Sequence, residues 1–204
     1  MDTIRYVLAV VVWATVPPAF FYWYLIHPFA SYWRTVGPAR TYLVVLPVTV
    51  LLIGMLLRWR GPVAGTDLGE NWTLFYSGII LWGAAILLER RIRQLLDFKT
   101  LAGLPELRAP EEGAPPQQLL DSGIYGVVRH PRYVAVFLGT LGWSLMANYG
   151  ATYAVVAALV PGILALVWLE ERELEERFGD AYRAYQARVP ALIPRLGRGA
   201  LRAP

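Results

Sequence analysis

Cysteine is absent from the 204 residues, which excludes disulfides, Cys-ligated metals and a Cys nucleophile. Charge is scarce as well. Asp, Glu, Lys and Arg make up 17% of the chain, against about 25% in an ordinary soluble domain. Lysine occurs once, at Lys99, so the basic character is almost entirely arginine. The net charge of +4 is too modest to point to nucleic acid. No internal repeat and no low-complexity run is present. What remains is apolar. Hydrophobic residues make up 56% of the chain, with 8 Trp and 12 Tyr, and the mean hydropathy is +0.42. That mixture suits hydrocarbon along helices and aromatic belts at their ends.

A spanning helix needs about 20 mostly apolar residues. Five stretches qualify: 4–26, 41–57, 72–88, 133–147 and 152–170. The first is too long for the apolar core of a signal peptide and lacks a small-residue cleavage site after it, so it reads as a retained span. Pro17-Pro18 inside it removes two backbone donors and predicts a kink or break. Pro161 lies inside the last. Asn148-Tyr149-Gly150 reads as a tight turn joining the fourth and fifth spans into a helical hairpin.

With five spans and a cytoplasmic C-terminus, every basic residue except Arg5, Arg58 and Arg60 falls inside, as the positive-inside rule requires. The alternative is that one short span is re-entrant. The fold class expected is all-α: a polytopic membrane protein of about five transmembrane helices with a C-terminal amphipathic cytoplasmic helix. A single membrane domain is expected over 1–204. Its parts are N-terminal spans (1–88), a cytoplasmic loop and motif (89–132), a hairpin (133–169) and a closing segment (170–204). The loop from about residue 94 to 122 is too polar to cross and too rich in proline to form one helix. In the closing segment Leu174, Phe178, Tyr182 and Tyr185 share a helical face. Gly179 interrupts that helix, and Pro190 and Pro194 end it.

Three patches exceed what an apolar scaffold needs. The first is Gly123-Ile124-Tyr125-Gly126-Val127-Val128-Arg129-His130-Pro131-Arg132-Tyr133, at the entrance to the fourth span. Pro131 suits a first helical turn, which puts His130 at the N-cap beside free donors and the positive end of the dipole. Gly123 and Gly126 allow close backbone approach to a ligand. The second is Glu170-Glu171 at the membrane boundary, where a carboxylate is costly unless it is paired, hydrated or facing a polar cavity. The third is the run from Arg177 through Tyr185 to Val189-Pro190, an amphipathic helix able to lie on the membrane and close a site.

Each patch also has a plainer reading. His130 can be an ordinary cap, and Tyr125 and Tyr133 can be belt residues. Glu170 and Glu171 can be a solvated helix end. Arg129 and Arg132 can be topology determinants or lipid head-group contacts. Tyr182 and Tyr185 read as packing. His27, beside Pro28, reads as interfacial without a role.

Taken together, Gly-x-Tyr-x-x-x-Arg-His-Pro-x-Tyr, a helical hairpin, Glu-Glu, Phe-Gly-x-x-Tyr-x-x-Tyr and Val-Pro resemble the isoprenylcysteine carboxyl methyltransferase family. Phospholipid methyltransferases share a looser version. The resemblance covers about 117–194. It implies a fold without a Rossmann sheet and S-adenosylmethionine enclosed by the last helices and the C-terminal segment. By matching positions it implies cofactor contacts at Tyr125, His130, Pro131, Arg132 and Tyr133. It also implies a pocket lined by Gln117, Gln118, Leu119 and Leu120, and a grip on the cofactor's amino-acid end by Glu170 with Glu171 beside it. The Arg that holds a substrate carboxylate in that family is replaced here by Leu166. No metal is implied, and no residue is assigned as catalytic.

The resulting expectation is methyl transfer to a lipophilic acceptor, isoprenylcysteine carboxylate-like or lipid, with membrane lipid as the surroundings and no nucleic acid partner. Two alternatives stay open. Membrane sterol reductases, which use NADPH, share an Arg-His-Pro-x-Tyr run, and a non-catalytic membrane scaffold could keep the fold. The acceptor group (carboxylate, thiol or amine) and the oligomeric state are not readable. Arginine-rich usage hints at a GC-rich prokaryotic genome, hence an inner membrane with a cytoplasmic active site.

Overall fold

The computed structural model describes residues 1–26, 29–96 and 119–195. Among these residues every regular element is helical, and the only extended pairing is an isolated bridge between Asp67 and Tyr149. Eight α-helices follow in order: α1 (Asp2–Ile26), α2 (Ala30–Val36), α3 (Pro38–Arg58), α4 (Gly61–Ala64), α5 (Trp72–Arg93), α6 (Pro131–Ala147), α7 (Gly150–Phe178) and α8 (Asp180–Arg188). A 3₁₀ turn at Gly123–Gly126 precedes α6. His27, Gln117, Gln118 and most of the proline-rich loop lie outside the described residues.

Among the described residues four helices, α1, α3, α5 and α7, are long and apolar enough to cross a membrane. The fifth expected span, α6, has 17 residues, at the short end of the about 17–25 that suffice. The ends alternate as charge predicted. Arg5, Asp67, Ala147 and Tyr149 meet at one end of the bundle. Arg34 pairs with Glu173, and Arg129 with Glu171, at the other.

Of the kink or break expected at the proline pair, the break does not occur: α1 runs through Pro17 and Pro18, with Pro18 buried. The lost donors leave α1 continuous because the neighbouring turns keep their own bonds and the helix is packed against α3, α6 and α7. The hairpin turn is as read. Asn148 caps α6 in the left-handed region at φ 55°, a conformation asparagine tolerates well.

The tightest packing joins α5 to α6. A Cβ placed on Gly78 would lie 2.5 Å from the Gly142 carbonyl oxygen, and one on Gly142 would lie 2.9 Å from the Trp82 amide nitrogen. With glycine on both helices the backbones touch, the usual route to helix association in lipid. This contact fixes α6, and with it the position of His130 at its N-terminal end.

At the far end Arg5, 3% exposed, ties three segments together. Its Nε donates to Ala147 O at 3.0 Å, its guanidinium pairs with Asp67, and it lies 5.4 Å from the Tyr149 ring centre.

Candidate functional site

The site forms where the entrance to α6, the end of α7 and the chain after α8 converge. Gly123, at φ 59°, adopts a conformation glycine permits, and a Cβ there would sit 3.0 Å from Leu95. Pro131 opens α6 at N1, so His130 becomes the residue before the helix. Gly179, at φ 56°, ends α7 and lets α8 fold back along it. The chain beyond α8 then lies beside residues 129 and 130. Arg129 N donates to Pro190 O at 2.9 Å, and His130 N donates to Ala191 O at 3.0 Å.

His130 is placed as predicted, but its side chain does not cap α6. The ring turns to the acids at the end of α7. Nδ1 lies 3.4 Å from Glu170 Oε2, and Nε2 lies 3.1 Å from Glu171 Oε1. The first patch and the second therefore meet at one end of the bundle, although about forty residues separate them in sequence. Tyr133 packs beside the histidine, with ring centres 5.8 Å apart.

Burial alone would depress the His130 imidazole. Hydrogen bonds and charge from Glu170 and Glu171 outweigh that and raise it to about 9. The ring is thus an imidazolium at neutral pH. Its folded value lies above the unfolded one, near 6.5, so its contribution is complete below about pH 6.5 and is lost as pH rises through about 9. At 5% exposure it is worth about 3 kcal/mol. We expect the Tm in detergent to fall by about 6–12 °C between pH 6.5 and 10, and His130→Gln to flatten that slope. A wild-type Tm independent of pH over this range would exclude the imidazolium.

Arg129 is the residue that sequence reasoning missed. It belongs to the Arg-His-Pro-x-Tyr run but was given no contact of its own, and its side chain is only 10% exposed. Nε and Nη2 both donate to Glu171 Oε1, at 2.9 and 2.5 Å. Nη1 donates to Gln186 O at 3.2 Å and to Val189 O. One guanidinium therefore fixes the end of α7 and the end of α8 together. Gln186 Nε2 approaches the other oxygen of Glu171 at 3.4 Å. Both oxygens of Glu171 are engaged within the protein, which makes it a strut. The only signal that could have found this is the adjacency of Arg129 to His130.

The other expected residues divide. Tyr125 frames the site through its backbone, where its carbonyl accepts from the Tyr185 hydroxyl at 2.6 Å. Burial, reinforced by the charge of Glu170, pushes its own hydroxyl up to about 12. Pro131 is fully buried. Leu119 packs against the Tyr182, Tyr185 and Val189 cluster, and Leu120 is half-buried next to it. Arg132 stacks on Trp23, 4.4 Å from the ring centre. Leu166 is wholly enclosed with Tyr133, Ile163 and Val167. The expected apolar face of Leu174, Phe178, Tyr182 and Tyr185 forms one buried cluster over the end of α7.

A cofactor whose amino-acid end carries an ammonium group would meet suitable acceptors here. Glu170 lies at the rim, its side chain 30% exposed, and Glu171 is fixed behind it. The Tyr182 hydroxyl is buried and, among the described residues, has no hydrogen-bond partner. An open groove of about 430 Å³ lies between α5 and α6, lined by Trp82, Ala85, Ile86, Ala135, Val136 and Gly139. Glu89, Arg90 and Arg93 stand at its polar end.

Comparison with known proteins adds the following. The model of the phospholipid methyltransferase family matches residues 73–181, from α5 into α8. A protein-S-isoprenylcysteine O-methyltransferase of Schizosaccharomyces pombe is 38% identical over 77 residues, 37% of this chain and 33% of that protein. A methanethiol S-methyltransferase of Pseudomonas deceptionensis is 32% identical over 172 residues, 79% of this chain and 62% of that protein. One from Crocosphaera subtropica is 31% identical over 151 residues, covering 71% and 57%. The chain thus spans between a third and about six-tenths of the length of these relatives. No solved structure matches.

Proposed function

Because the chain belongs to the phospholipid methyltransferase family, we propose that this integral membrane protein is an S-adenosylmethionine-dependent methyltransferase. In this reading 1–204 acts as one membrane unit, in a prokaryotic inner membrane, with its site on the cytoplasmic side. The observation that carries it is the meeting of His130 with Glu170 and Glu171, at 3.4 and 3.1 Å, beneath the segment that follows α8. The chemistry supplied by the bound cofactor is an electrophilic methyl group on a sulfonium, open to in-line displacement.

The chain's own residues bind, orient and exclude water. Glu170 holds the cofactor's amino-acid end. The His130 imidazolium faces that carboxylate and aims it, and the Arg129–Glu171 pair clamps the closing segment. Tyr125 and Tyr133 wall the site. Such a pocket accelerates transfer by position and by shutting out solvent.

The acceptor follows from what is left. His130 is already protonated, and Glu171 is held by Arg129. Among the described residues at the His130 cluster no base is left over to take a proton, which favours an acceptor that arrives as an anion, a thiolate or a carboxylate. Leu166 offers no cation for a carboxylate at the position where the isoprenylcysteine enzymes carry Arg. Relatives named for methanethiol make a thiolate reasonable. The largely apolar groove between α5 and α6 supports a lipophilic acceptor.

Thermal stabilisation in detergent tests the reading. S-adenosylhomocysteine at a hundred times its Kd should add about 2.7 kcal/mol, roughly 5–11 °C in Tm, and NADPH should add nothing. Stabilisation by NADPH without any by S-adenosylhomocysteine would reverse the assignment.

A further inference from the structure

Tyr182 and Tyr185 lie on one face of α8, both at or below 2% exposure, with ring centres 5.9 Å apart. Their hydroxyls differ. That of Tyr185 donates to Tyr125 O at 2.6 Å. That of Tyr182 is buried and, among the described residues, has no hydrogen-bond partner. The ring alone satisfies the packing with Leu174, Phe178 and Val189, and phenylalanine would fill the same space. A buried hydroxyl without a partner is destabilising, so its presence asks for a ligand.

The surroundings say which kind. Glu171 is the charge acting most strongly on this hydroxyl, followed by Arg129 and Glu170. The donors of Arg129 already reach Glu171, Gln186 O and Val189 O. Glu171 already accepts from Arg129 and Gln186 and faces His130. An anionic group would be repelled by the two acids. A cationic donor would be attracted, and the hydroxyl oxygen could accept from it without adding charge. Resting on the methyltransferase reading, we propose that Tyr182 is a further cofactor-binding residue, its hydroxyl accepting a hydrogen bond from the cofactor's α-ammonium group alongside the Glu170 carboxylate. The family match ends at residue 181, one position short of it.

The test is Tyr182→Phe in the full chain in detergent, with two readouts of opposite sense. Without ligand, the variant's Tm should hold or rise by about 2–4 °C, because an unpaired polar atom has been removed. Its affinity for S-adenosylhomocysteine, by calorimetry, should fall about 10- to 150-fold, the value of a hydrogen bond to a charged group. Affinity for 5′-methylthioadenosine, which lacks the amino-acid end, should not change. Undiminished S-adenosylhomocysteine affinity overturns the proposal. So does an equal loss for both ligands, and so does a ligand-free Tm lowered by more than a few degrees, since the hydroxyl would then have a partner in the protein. A wild type that binds no S-adenosylhomocysteine overturns the methyltransferase reading itself, and this proposal with it.

Discussion

Arg129→Met should lower the Tm in detergent by about 6–20 °C and abolish S-adenosylhomocysteine binding. The pair it breaks is well buried, with Arg129 and Glu171 side chains 10% and 19% exposed. Removing one partner of such a pair costs about 3–5 kcal/mol, because the other charge stays buried and uncompensated. For a chain of this size each kcal/mol is about 2–4 °C. The loss extends beyond the pair, since Gln186 O and Val189 O also lose their donor and the segment after α8 loses its anchor. Limited proteolysis should therefore cut after α8 in the variant at protease levels that spare the wild type. Arg129→Lys should rescue little, because a single ammonium cannot span the carboxylate and two carbonyls as a planar fork does. A variant with wild-type Tm and protease resistance would show that the latch is not structural.

Glu170→Gln should leave the protein folded and reduce S-adenosylhomocysteine affinity about 30-fold or more, the cost of deleting one partner of a charge pair in a binding site. It carries a second, ligand-free signature. Hydrogen bonding and charge from Glu170 help to raise His130, so the variant should titrate that imidazole below about 9, toward its ordinary value. The chain has only 2 histidines, which makes assignment by NMR direct. Lower His130 basicity with intact affinity would separate Glu170 from the cofactor while keeping it in the cluster. Unchanged basicity would dismantle the cluster.

Much of this site was visible in order but not in partnership. Pro131 predicted a helix start, and α6 begins there. Gly179 predicted an interruption, and α7 ends there. The face of Leu174, Phe178, Tyr182 and Tyr185 is a local period of 3.6, so the sequence displays it. Arg129 was invisible for the opposite reason. Its acceptors lie 42, 57 and 60 residues away, and two of them are backbone carbonyls that any residue could supply. The same holds for Arg5, which charge counting placed outside the membrane, and which proves to be a buried tie between α1, the hairpin turn and Asp67. Tyr182 and Tyr185 were indistinguishable by spacing. Only the position of the Tyr125 carbonyl separates a satisfied hydroxyl from an unsatisfied one.

Hydrophobic length, proline and glycine placement and arginine distribution determined by themselves that the chain crosses a membrane as helices and which loops share a side. Those properties are local, and the bilayer reads them one segment at a time. The tertiary structure alone decided that one acid, Glu171, is a strut and its neighbour, Glu170, stands at the rim. Adjacent residues on a helix point about 100° apart, and which direction meets Arg129 depends on how α6, α7 and α8 pack together.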